Sequence, residues 1–242
     1  MRVLLAHVRA GTLELVHYPA YSLPTLLFPT FVFLLFVVPQ ARSEEALVTA
    51  AFAAIAVLGV AFFQFGVGIA MERASPWEPF LRTLPAGARV RIGARVFSAL
   101  LFATASVSVL LATSLATTDF SLPAGNWLRF VGVLLLGAIP FALLGITLGY
   151  WVRPKAALPV ANLLFLPLSF MGGLWGGARH LPDTLGAVSP YLPTRQWANL
   201  LWASVGEQKW RPLDVAGLAG YALLFALLAA WGYRRDEGER YS

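Results

Sequence analysis

The sequence predicts an all-α integral membrane protein of six transmembrane helices with both ends in the cytoplasm, and three observations carry that prediction. Of 242 residues, 58% are hydrophobic and 12% charged, about half the charge of an ordinary soluble domain. A chain of this length could not hide so much apolar surface from water, because the buried fraction grows only slowly with size. Six stretches contain no Asp, Glu, Lys or Arg, and each approaches or exceeds the roughly 20 residues that carry a helix across a bilayer. Finally, the basic residues between those stretches are divided unequally between alternate sides. One domain, residues 1–242, holds all of this.

The six stretches are Tyr18–Ala41, Ala46–Met71, Val96–Thr118, Phe130–Val152, Ala156–Ala178 and Val215–Tyr233. The first is interrupted by Pro19, Pro24 and Pro29. Membrane helices tolerate proline when neighbours satisfy the freed carbonyls, so a helix is expected from near Pro24, with a kink or break near Pro29. Ahead of it, over residues 1–17, Leu4, Leu5, Val8, Leu15 and Val16 follow helical spacing, with Arg2, His7, Arg9 and Glu14 as polar residues. The pattern predicts an interfacial helix on the cytoplasmic membrane surface; a frayed end is the alternative. No cleaved leader is expected, since no small-residue cleavage site follows the first apolar run.

With the N-terminus inside, the cytoplasmic segments hold Arg2, Arg9, Arg73, Arg82, Arg89, Arg91, Arg95, Arg153, Lys155, Arg234, Arg235 and Arg240. The outer segments hold Arg42, Arg129, Arg179, Arg195, Lys209 and Arg211. Twelve against six is the bias that orients membrane proteins. It also explains the net charge of +6 and the pI near 10.1 without a nucleic-acid partner.

Residues 72–88 form a cytoplasmic segment between the second and third spans. Ser75 before Pro76 can start a short helix, Glu78 completes a capping box, and Pro85-Ala86-Gly87 ends it. Such a helix presents Trp77, Phe80, Leu81 and Leu84, and an apolar face outside the membrane meets a partner or dips into the headgroups. Glu78 and Arg82 are spaced as an i,i+4 pair. Residues 179–212 are too long for a plain connector. There Trp197, Leu200, Leu201 and Val205 follow helical spacing, with Trp202 and Trp210 nearby, which predicts an interfacial or re-entrant helix at the outer leaflet.

The chemistry-bearing constellations come back empty. There is no cysteine, which excludes disulfides and thiolate sites. His7, His17 and His180 lie near span ends, and no Gly-rich phosphate loop occurs. No catalytic, cofactor or metal site is therefore expected. The six spans lack the ionisable residues that proton- or sodium-coupled carriers keep at membrane depth, so an energy source would come from another polypeptide. Gln64, Ser98, Thr104, Ser106, Ser108, Thr113, Thr147, Asn162 and Ser169 are expected to hydrogen-bond between helices. Gly145/Gly149, Gly172/Gly176 and Gly173/Gly177 form small-xxx-small pairs that favour close helix packing. The pairs at Gly172, Gly173, Gly176 and Gly177 fit equally a point where the chain turns back toward the outer surface.

Three regions resemble the type-2 ABC exporter permeases, the membrane subunits of ATP-driven drug, polysaccharide and lipid exporters. Glu72, Arg73, Glu78, Leu81 and Pro85 carry the likeness of the family's coupling segment. The run from Asn162-Leu163-Leu164 to Met171-Gly172-Gly173, followed by Leu181-Pro182, is similar to the family's fifth helix and its Gly-rich end. Ser189-Pro190-Tyr191-Leu192-Pro193-Thr194 resembles the segment before its outer helix. The resemblance implies a second permease chain, ATP-binding cassette ATPase subunits docked on Trp77, Glu78, Phe80, Leu81 and Arg82, and no bond-making chemistry in this chain. A membrane-embedded lipid-modifying enzyme and a non-transporting anchor or assembly subunit are the alternative readings.

Overall fold

The computed structural model describes residues 19–39, 45–75, 88–175, 182–206 and 208–238. Within them the chain forms α1 (Pro19–Phe36), α2 (Glu45–Glu72), α3 (Ala88–Thr117), α4 (Ala124–Trp151), α5 (Pro154–Met171), α6 (Asp183–Val188), α7 (Pro193–Ser204) and α8 (Pro212–Gly238), with no strand among the described residues. Five helices are long and apolar enough to cross a membrane: α2, α3 from Ile92, α4, α5, and α8 as far as Asp236. The chain is a multi-pass membrane protein. The sequence predicts six spans; the apolar part of α1, Leu26–Phe36, falls short of that length.

The helix ends depart from the charge-free stretches for local reasons. α1 starts at Pro19 rather than near Pro24 and runs through Pro24 and Pro29 without a break. Pro29 leaves the Thr25 carbonyl without its helical N–H. At the next residue, Ser106 on α3 donates to the Leu26 carbonyl at 2.8 Å and ties the two helices together beside the proline. α3 extends back to Ala88, because Arg89, Arg91 and Arg95 break a charge-free criterion but not a helix. α5 stops at Met171 instead of continuing to Ala178: Gly172 caps it, and Gly173 has φ +80, the left-handed region that glycine enters freely.

α2 is the most enclosed span. Its alanines leave room for neighbours, and every residue from Thr49 to Gly59 is buried. A Cβ at Gly145 of α4 would collide with the Ala61 carbonyl, and one at Gly149 would lie 2.6 Å from Ile69 Cβ. The two backbones therefore touch directly, as small residues at membrane interfaces permit. Between these contacts α2 is π-helical from Val60 to Val67, a conformation that sequence periodicity does not reveal. Gln64 lies in this segment, 3% exposed, with neither amide atom hydrogen-bonded.

The predicted outer helix is α7, and it is packed against neighbouring helices over most of its surface. Eleven of its residues are buried, and Trp197 donates from Nε1 to the Val133 carbonyl of α4 at 3.1 Å. Val133 lies four residues beyond Arg129, about 6 Å along the helix axis. α7 is thus packed into the bundle beside α4. The polar side chains divide between roles: Thr49 and Ser114 join α2 to α3 at 2.8 Å. Thr104, Thr113 and Asn162 instead bond to carbonyls four residues back in their own helices.

Candidate functional site at the α2–α4–α8 junction

Helix α4 ends because of Pro154. The residue before a proline is forced out of the helical region, and Arg153 is extended at ψ 146. Proline also has no N–H to offer the carbonyl four residues back. The carbonyls of Gly149 and Tyr150 therefore need partners from elsewhere, as the last turn of any helix does.

Arg73, the first residue beyond α2, supplies them. Its Nη1 donates to the Gly149 and Tyr150 carbonyls, both at 2.8 Å. Its Nε donates to Asp236 Oδ1 on α8 at 2.9 Å, and Nη2 reaches the same oxygen. The guanidinium lies over the Tyr150 ring, 5.7 Å from its centroid. A cation at a helix C-terminus also complements the helix dipole. Asp236 is 5% exposed and Arg73 16%, so this is not the screened surface pair worth ~0–1 kcal/mol.

The second flank of the loop returns to the same place. Arg95 of α3 pairs with Glu72 at 3.0 Å and also lies over Tyr150, 6.0 Å from the centroid. Tyr150 packs edge-on against Tyr233 of α8, and Trp151 against Trp231, with centroids 5.4 and 4.9 Å apart. Trp151 Nε1 donates to the Leu228 carbonyl at 3.0 Å, Thr147 Oγ1 to the Phe225 carbonyl at 3.2 Å, and Arg235 lies over Trp151. α4 and α8 are thereby joined over their last turns. All these residues sit at one end of the bundle, the end that the charge distribution predicts to be cytoplasmic.

Trp77, Glu78, Phe80, Leu81 and Arg82 lie outside the described residues, as do Gly176, Gly177 and the predicted helix over 1–17. Gly172 faces α7: a Cβ there would lie 2.8 Å from Thr194 Cβ, so this glycine admits the start of the inserted helix. Elsewhere, an apolar groove of about 310 Å³ opens between α1, α2 and α5, lined by Phe28, Phe63, Phe165 and Trp175, with Asn162 as its amide. No cluster of three or more potential metal ligands occurs among the described residues.

Sequence reasoning missed Asp236, Tyr150 and the unpaired carbonyls, and counted Arg73 as a topological charge and a motif residue. One signal was available: Pro154 predicts a carbonyl left bare at Tyr150, and an arginine at the end of a neighbouring span is a natural donor.

Fold and site together define a multi-pass α-helical membrane protein with a polar junction at one end and no assembled chemical centre among the described residues. Over 202 residues, 83% of this chain and 82% of the relative, it is 25% identical to the protein described as "Putative transport permease YvfS" from Bacillus subtilis (strain 168). No protein-family model matches the chain.

Proposed function

We propose that this chain is the membrane-spanning permease subunit of an ATP-driven exporter. The observation that carries the reading is the similarity to a transport permease along 83% of the chain. The apolar helices and the basic loop between α2 and α3 agree with it. In this reading α1 is the sixth span, both ends are cytoplasmic, and two permease chains enclose the pathway. A separate ATPase subunit docks on the segment beyond Arg73 through Trp77, Phe80 and Leu81, with Glu78 and Arg82 orienting it. ATP-driven closure of the ATPases shifts the permeases between two conformations that differ in affinity for cargo. The weakly polar spans suit a lipid-like or amphipathic cargo.

The test is co-expression with a candidate ATP-binding cassette ATPase from the same organism, followed by purification and measurement of cargo-dependent ATP turnover. Leu81→Asp is expected to abolish association, and Phe80→Ala to weaken it by about 1 kcal/mol or more, as removal of an interface anchor does. Arg82→Ala alone should change little, since an exposed i,i+4 pair is worth ~0.3–0.5 kcal/mol. Full association and coupling in Leu81→Asp would show that this segment is not the docking element.

A further inference from the structure

The coupling segment is useful only if its displacement reaches the spans, and the junction described above specifies how it would. Backbone bonding continues past α2 as far as Ser75: Arg73 N–H bonds to the Ile69 carbonyl, Ala74 to Met71 and Ser75 to Glu72, at 3.0, 3.0 and 2.8 Å. The entrance to the segment is therefore wound onto α2 rather than hinged from it. At that point four of the five guanidinium N–H groups of Arg73 are spent on α4 and α8. Two turns into α3, Arg95 is tied back to the entrance through Glu72.

We infer that Arg73 is a positioning residue that makes α2, α4 and α8 one body under the coupling segment, so that motion of the loop becomes motion of that body against α5. The inference rests on the exporter reading and adds to it the route of transmission. α2 and α4 touch backbone to backbone at Gly145 and Gly149. α4 and α8 share the bonds from Thr147 and Trp151. Between α5 and α2, Phe165 packs edge-on against Phe62 and Phe63 at 6.3 and 5.2 Å, non-directional contacts that can slide. Arg73 is suited to the task because a planar fork can hold a carboxylate and two carbonyls at once, whereas a lysine ammonium is a point charge on a flexible stem.

The test uses the full complex with its ATPase in liposomes and compares wild type with Arg73→Lys, Asp236→Asn and Arg73→Ala. Each is first required to elute as a monodisperse species. ATPase association and basal hydrolysis are expected to stay within about twofold of wild type. Cargo moved per ATP should fall tenfold or more in Arg73→Lys and Arg73→Ala, and less in Asp236→Asn, which keeps the carbonyl bonds. Wild-type cargo per ATP in Arg73→Lys with the ATPase bound would overturn the inference while leaving the exporter reading intact. Loss of ATPase association in a monodisperse Arg73→Lys would also overturn it, since Arg73 would then be part of the docking surface. A wild-type chain that binds no ATPase would end both.

Discussion

Gly137 and Trp197 give the sharpest test of how α7 sits in the bundle. A Cβ at Gly137 would overlap Nε1 and Cδ1 of Trp197 and come within 2.5 Å of Cε2. The indole is fully buried, bonded to the Val133 carbonyl at 3.1 Å and packed on Phe141 with centroids 4.9 Å apart, so it has nowhere to move. On an open helix face Gly→Ala would stabilise by ~0.8–1.0 kcal/mol. Here it must either displace backbone, at about 1–3 kcal/mol, or unseat the indole, and truncating a buried tryptophan costs ~3–5 kcal/mol. The expected net loss for Gly137→Ala is about 2 kcal/mol, roughly a 25-fold fall in the folded-to-unfolded ratio. Trp197→Leu is destabilising alone, but in that background Gly137→Ala should become neutral or favourable. The resulting coupling of about 2–3 kcal/mol is at the upper end for residues in contact. Unfolding by sodium dodecyl sulfate, followed by circular dichroism in one detergent, reads the cycle. A stabilising Gly137→Ala in the native background, or an equal cost in both backgrounds, would refute the placement of α7.

Other outcomes follow from single residues. Gln64→Leu removes two buried amide atoms that lack partners at nearly constant volume, and is expected to stabilise the protein by about 1–3 kcal/mol. A loss of stability in the same assay would mean that the amide is satisfied in the membrane. The chain has no native cysteine, so Gln208→Cys should react with an impermeant thiol reagent on intact cells, and Ala86→Cys only after permeabilisation; the reverse pattern would overturn the orientation.

Much of the fold was legible because membrane spans are written in composition. A run such as Ala46–Met71 has one stable solution in lipid, and the structure forms a helix there from Glu45 to Glu72. What was not legible depends on geometry between distant residues. Nothing local marks Val60–Val67 as π-helical, and the amphipathic spacing of Trp197, Leu200 and Leu201 is the same for a helix on a surface and one inserted beside α4. Only the pocket made by Gly137 distinguishes them. The site was half legible: Arg73 stood out as a charge at a span end. Its partners, however, are two backbone carbonyls on α4 and an aspartate 163 residues away, and a carbonyl carries no sequence signature except through Pro154.

The central claim, a permease driven by a separate ATPase, is tested most directly by reconstitution. The chain is purified with its co-expressed ATPase, its native mass is measured, and the complex is placed in liposomes containing a fluorescent amphipathic cargo. The account predicts two permease chains and two ATPase subunits, with cargo movement that requires ATP and stops when the ATPase active site is disabled. Cargo movement by this chain alone, unaffected by ATP, or an active complex of one permease and one ATPase subunit, would contradict it.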